Sequence, residues 1–213
     1  MLLSTAYCPP VEYFALLAKD FTLSPDGVIP SVASLEACEN YQKQSYRTRC
    51  RIAAAEGVED LSVPIVHGED RRITSVRVDY SVPWVLRTCR AIDSAYYSSP
   101  YFEHYRDGLF AVLEDRRETL FDLNLSLIRF FLDKTGIACN LLQTESYAPP
   151  GSVPDDYREV IHPKRNNMIL RDLSLEKPYY QVFSRKYGFV GGLSIMDLLF
   201  NEGPDSILYL KRL

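Results

Sequence analysis

Leu2-Leu3-Ser4-Thr5-Ala6-Tyr7-Cys8-Pro9-Pro10-Val11-Glu12-Tyr13-Phe14-Ala15-Leu16-Leu17-Ala18-Lys19 reads as a strand, a break and a helix. Residues 2–7 suit a short buried strand, which Pro9-Pro10 interrupts. Proline loses no hydrogen bond in the first turn of a helix, so the same pair opens one. Val11, Phe14, Ala15 and Ala18 recur at the spacing of one helical face and carry the helix to about Lys19. Ser24-Pro25-Asp26-Gly27 then marks a turn, and a second strand is expected over 28–35. This β-α-β start predicts the α/β class, with a mixed sheet flanked by helices.

Further along, short β-like runs occupy 46–53, 59–66 and 72–79, with turns at Glu56-Gly57 and His67-Gly68-Glu69-Asp70. They predict an antiparallel hairpin or meander. Helices are expected over 82–97, 101–113 and 118–134. In the third, Leu120, Leu123, Leu127 and Phe131 form a stripe that Phe121, Leu125, Ile128 and Leu132 widen, so it is the most buried helix, and Gly136 stops it. Residues 137–143 read as a strand. The longest loop, 144–158, carries Pro149, Pro150, Gly151 and Pro154, and loops of this length are often functional. Ser194-Ile195-Met196-Asp197 starts a helix that stops at Gly203-Pro204. A short terminal helix is expected over 205–213. With no repeat and no linker, the 213 residues are expected to form a single domain, 1–213.

Lys plus Arg is 24 and Asp plus Glu is 28, a net charge of −4, which argues against a nucleic-acid partner. Five scattered cysteines form no CxxC pair and suggest a reducing, cytoplasmic location. No signal peptide is recognisable, and no apolar run reaches the roughly 20 residues that membrane insertion needs. The sequon Asn124-Leu125-Ser126 reads as incidental. The composition holds 15 Tyr and 10 Phe against 1 Trp. Tyrosine has an apolar body and a polar tip, so the excess points to half-buried polar pockets.

Phosphate loops, dinucleotide fingerprints, nucleophile elbows and zincin motifs are all missing, and no cofactor or metal is expected. The densest polar cluster spans residues 39–51. On a strand, Arg47, Arg49 and Arg51 share one face. With Lys43 they suit a phosphate or carboxylate clamp, because guanidinium is a forked donor. The competing reading is a solvated edge strand whose charges prevent aggregation. His67 sits in a turn and His104 on a helix surface. His162 precedes Pro163, which extends the backbone there, and is the general-base candidate. Asp155-Asp156 reads as solvated acids or metal ligands, and Gly191-Gly192 as a tight turn or an anion site.

Three blocks resemble the WbqC-like family. Tyr7-Cys8-Pro9-Pro10-Val11-Glu12-Tyr13-Phe14 is similar to its opening Y-x-P-x-x-x-Y-F signature. Arg49, Arg51 and Ile52 match its N-R-x-R-I block, with Thr48 in place of Asn. Trp84, Ile92, Ala95-Tyr96 and Ser99-Pro100-Tyr101-Phe102 resemble a third block. Glu12 replaces a glycine, and Thr5-Ala6 stands where Gln-Pro is common. The resemblance implies bacterial surface-polysaccharide (O-antigen) biosynthesis, a pathway more than a reaction. The expectation is a transferase-like protein binding a nucleotide sugar or phosphorylated sugar intermediate. Tyr7, Tyr13, Lys43, Arg47, Arg49 and Arg51 would line the ligand site, and His162 would act in catalysis. The alternative is a noncatalytic scaffold with an exposed tyrosine face near Tyr96, Tyr97, Tyr101 and Tyr105. Its partner would be a pathway enzyme or a second copy of the chain, as a homodimer.

Overall fold

A computed structural model describes residues 1–25, 27–66 and 68–211. Asp26 of the first turn, His67, and the last two positions of the expected terminal helix lie outside the described residues. The chain runs β1 (Leu2–Leu3), α1 (Val11–Ala18), β2 (Thr22–Ser24), β3 (Gly27–Ile29), β4 (Ser31–Leu35), β5 (Arg49–Ala54) and β6 (Gly57–Ser62). It continues through α2 (Trp84–Tyr96), α3 (Phe102–Glu114), α4 (Leu120–Thr135), β7 (Cys139–Gln143), α5 (Ile169–Asp172), α6 (Ser184–Tyr187), α7 (Ile195–Glu202) and α8 (Ile207–Leu210).

The expected β-α-β opening is present. β1 and β4 pair in parallel, β4 and β7 pair in parallel, and the order is β1-β4-β7. Pro10 precedes α1, and the first helical amide donates to Leu193 O at 3.1 Å, so a distant segment caps the helix. Every residue of α1 is buried, not one face only, because β4, α5, α7 and α8 all pack on it. The expected strand over 28–35 is broken at Pro30. Lacking an amide hydrogen, proline cannot continue a ladder. The residues before it turn back as the exposed β2–β3 hairpin, and those after it enter the parallel sheet.

β5 and β6 form an antiparallel hairpin with Arg51 opposite Asp60. The third expected strand, 72–79, is instead a 3-10 turn over Ile73–Ser75 and isolated pairings such as Ile65 with Val78. Its apolar alternation is satisfied by Ile73, Val76 and Val78 each entering the core separately. The mixed sheet thus resolves into one parallel sheet and two separate antiparallel hairpins.

The three expected helices lie close to their predicted bounds. Thr119 caps α4 by accepting from the Asp122 amide at 3.1 Å, and Gly136 ends it in the left-handed region at φ 72°. Tyr96 of α2 and Phe102 of α3 both meet the ring of Phe200 at 5.1 Å, locking α7 against them. Among the described residues no helix is long and apolar enough to cross a membrane.

Candidate functional site

Parallel strands end on one side of their sheet, and open α/β sheets gather ligands outside those carboxyl ends. Here β1 leads into Ser4, β4 into Glu36 to Glu39, and β7 into Thr144. A cleft of about 420 Å³ lies at this edge, its walls including Glu39, Tyr41, Arg47, Tyr147, Asp156 and Arg158.

Two buried ion pairs build its floor. Arg47 donates through Nε to Glu39 Oε1 at 2.9 Å and through Nη2 to Glu39 Oε2 at 2.5 Å. Its Nη2 also reaches Ser4 Oγ at 2.7 Å, and its Nη1 reaches Gln42 Oε1 at 3.0 Å. Asn124 of α4 fixes the Arg47 backbone by donating to its carbonyl at 2.9 Å. Asn124 is 0% exposed, so the sequon built on it is a core residue and not a glycan acceptor.

The second pair joins Arg158 Nη1 to Glu36 Oε2 at 3.0 Å. Glu36, 0% exposed, also accepts from Thr144 Oγ1 and from the amides of Cys38 and Ala148, so the end of β4 holds the loop after β7. Arg158 also bonds Asp156, holding that carboxyl below its usual range, and its guanidinium lies 5.3 Å from the centre of the Tyr147 ring. Breaking either buried pair would leave an uncompensated charge, at a cost of about 3–5 kcal/mol.

The expected site residues divide between several surroundings. Tyr13 donates to Ser4 O at 3.0 Å and so supports the Arg47 end of the cleft from below. Burial drives its hydroxyl pKa well above the ordinary tyrosine value. Tyr13, Ser4 and Arg47 share the wall of one small void, so the opening loop and this arginine do meet. Arg47 lies before β5, not on it, and is buried where Arg49 and Arg51 are half-buried. Lys43 is exposed beside Gln42, at the rim. Arg49 turns to Asp60 across the hairpin at 3.5 Å. Arg51 lies by Glu12 and Gly192, outside the cleft. Tyr7 is fully buried, edge-on to Trp84 at 6.3 Å, and faces the core.

His162 is half-buried near Glu159 and Arg165, with Lys164 bonded to Gln44 of the 42–45 turn. Burial and the Arg165 charge lower its pKa and so favour the neutral ring. Its Nδ1 accepts from the Lys164 amide at 3.2 Å, which places the ring proton on Nε2. In this tautomer Nε2 is a donor. The tyrosines of the scaffold expectation do not form one exposed face, since Tyr96 is 1% exposed while Tyr97 is 77% exposed. Asp156 is committed to Arg158, and no cluster of three metal-ligating side chains occurs among the described residues.

Glu36, Glu39 and Arg158 were not singled out by the sequence. An acidic pair following the apolar run of a buried strand is the local signal for Glu36 and Glu39. Nothing local marks Arg158, whose partner is 122 positions away.

The fold and cleft together define an α/β protein with a buried, ion-paired polar floor outside the carboxyl ends of three parallel strands. The chain belongs to the WbqC-like protein family, whose model matches residues 5–167. It is also similar to the uncharacterized protein Rv1507c of Mycobacterium tuberculosis, with 25% identity over 235 aligned residues covering 99% of this chain and 96% of that protein. No solved structure gives a significant match.

Proposed function

We propose that the cleft binds a nucleotide sugar or phosphorylated sugar intermediate, and that the protein serves a transfer step in bacterial surface-polysaccharide (O-antigen) biosynthesis. The observation that carries this reading is the pairing of each buried guanidinium with a carboxylate at the sheet's carboxyl edge. The named walls hold Glu39 and Asp156 against Arg47 and Arg158. So balanced a floor suits hydroxyl groups better than bare phosphate, because carboxylates accept from hydroxyls and guanidinium donates to them. Tyr41 and Tyr147 offer faces for a sugar ring. The phosphate belongs at the rim, where Lys43 is exposed next to Gln42 and the Lys164 ammonium lies at Gln44.

Calorimetric titration of the protein with nucleoside diphosphate sugars, free nucleoside diphosphates and free sugars tests this. The intact nucleotide sugars should bind, and Lys43→Ala and Tyr147→Ala should each weaken them at least fivefold. Arg49→Ala, which removes a side chain facing Asp60, should not. Absence of binding across the set, or affinity unchanged from the unmodified protein in Lys43→Ala and Tyr147→Ala, would overturn the reading.

A further inference from the structure

A second cavity, of about 350 Å³, lies away from the cleft, between the start of α1 and the segments that hold α5 and α8. Val11 and Glu12 close one side, and most other walls lie beyond the residues matched by the family model. Tyr179, Phe189 and Tyr209 form an aromatic wall, with Tyr179 edge-on to Phe189 at 5.2 Å and to Tyr209 at 5.8 Å. This size, with apolar walls and few polar groups, is typical of small-molecule sites.

The polar groups are specific. Glu12 lines the cavity, is 9% exposed, and its Oε2 is buried with no partner among the described residues. A buried carboxylate oxygen without a donor is costly, and a bound donor would remove that cost. Burial raises the Glu12 pKa, against a smaller opposing pull from its own backbone amide and from Arg51. Gly192 (φ 68°) lies beside Glu12, where a Cβ would meet Arg51 Nη1 at 3.6 Å and Glu12 Oε1 at 3.9 Å. At the mouth, Arg171 and Lys177 line the cavity together with Glu176, and none of the three enters a salt bridge among the described residues. Lys177 Nζ already lies 4.7 Å from the centre of the Tyr209 ring, so this wall tolerates an ammonium.

We propose that this cavity binds a zwitterionic ligand with an apolar body, of the class of an aromatic α-amino acid. Glu12 takes the ammonium, Arg171 and Lys177 take the carboxylate, and Tyr179, Phe189 and Tyr209 enclose the ring. Glu176 offsets only one of the two basic charges at the mouth, so a cation alone would leave a positive charge there unanswered, and an anion alone would leave Glu12 Oε2 without a donor. This site stands independently of the reading of the cleft.

The test is titration of the full chain with L-phenylalanine, phenethylamine, 3-phenylpropionate and glycine, followed by calorimetry and by NMR shifts of the aromatic side chains. Phenylalanine should bind at least tenfold more tightly than each of the other three and shift Phe189 and Tyr209. Glu12→Gln should weaken phenylalanine at least tenfold and leave 3-phenylpropionate unchanged. Lys43→Ala, at the other cleft, should leave phenylalanine binding as it is. Equal binding of either one-headed analogue, unchanged affinity in Glu12→Gln, or no binding of any probe would overturn the proposal. If Glu12→Gln fails to fold, the ranking of the four probes on the unmodified protein decides alone.

Discussion

Replacing Asp197 with Asn should stabilise this protein at neutral pH. Asp197 is the third residue of α7 and is 1% exposed. Tyr179 and Gln181 both donate to its Oδ2 at 2.8 Å, while Oδ1 has no partner among the described residues. Burial outweighs these hydrogen bonds and lifts the carboxyl pKa to about 6. The unfolded group titrates near 3.9. The folded state therefore holds the proton more tightly, and its stability falls as pH rises from about 4 through about 6, then stays low. A gap of about two pH units corresponds to about 3 kcal/mol at pH 8. Asp197→Asn removes this term with little loss of bonding, since one amide oxygen can accept both existing bonds. The Tyr96 hydroxyl, which bears on this carboxyl and lacks a partner, offers the amide nitrogen an acceptor. Urea unfolding of both proteins at several values from about pH 4 to about pH 8 isolates the effect, because every other group titrates alike in both. The curves should nearly coincide at the acid end and separate by about 3 kcal/mol at the alkaline end, with the variant more stable. A gap that does not change with pH, or a variant less stable at pH 8, would refute the reasoning.

Three further outcomes are expected from stability measurements. Arg158→Met strips the fully buried Glu36 of its guanidinium partner and should cost about 3–5 kcal/mol in a denaturant titration. Thr119→Ala removes the cap of α4 and should cost about 1 kcal/mol, whereas Thr119→Ser should be close to neutral. Gly203→Ala would set a Cβ 2.5 Å from the Tyr101 ring at a backbone φ of 55° and should lower the melting temperature. Gly57→Ala, at φ 123° but with open space around it, should lower it less, through backbone strain alone.

Signals carried within a few residues were legible in the sequence. Pro9-Pro10, Pro100, Gly136 and Ser194 each act on their own turn of chain, and the helices they bound formed where expected. Period-two alternation over 72–79 is misleading because Ile73 is buried from a 3-10 turn and Val76 and Val78 from irregular backbone after it, and alternation records burial, not pairing. The arginine trio was legible as a cluster but not as a geometry. Strand periodicity puts Arg47 with Arg49 and Arg51, yet the ladder starts two residues later, Glu39 and Ser4 decide where the Arg47 side chain goes, and Asn124 holds its backbone. Glu39 lies within the quoted cluster, but Asn124 is 77 positions away, and no local pattern encodes that contact. In the sequence Glu12 stands out only as a departure from the family pattern; its burial depends on the distant 167–209 segment.

The closure of α1 by the 193–195 segment has a consequence for synthesis. Val11 N meets Leu193 O, Ile195 N meets Pro9 O, and Ser194 Oγ meets Cys8 O, a contact spanning 186 positions. Translation therefore delivers α1 long before the segment that caps it. Until residues 193–195 emerge, the Val11 amide and the Cys8 and Pro9 carbonyls lack these native partners. Contacts of such sequence separation form late and slow folding. A ribosome stalled anywhere before residue 193 would hold a nascent chain whose first helix is still waiting for its lid.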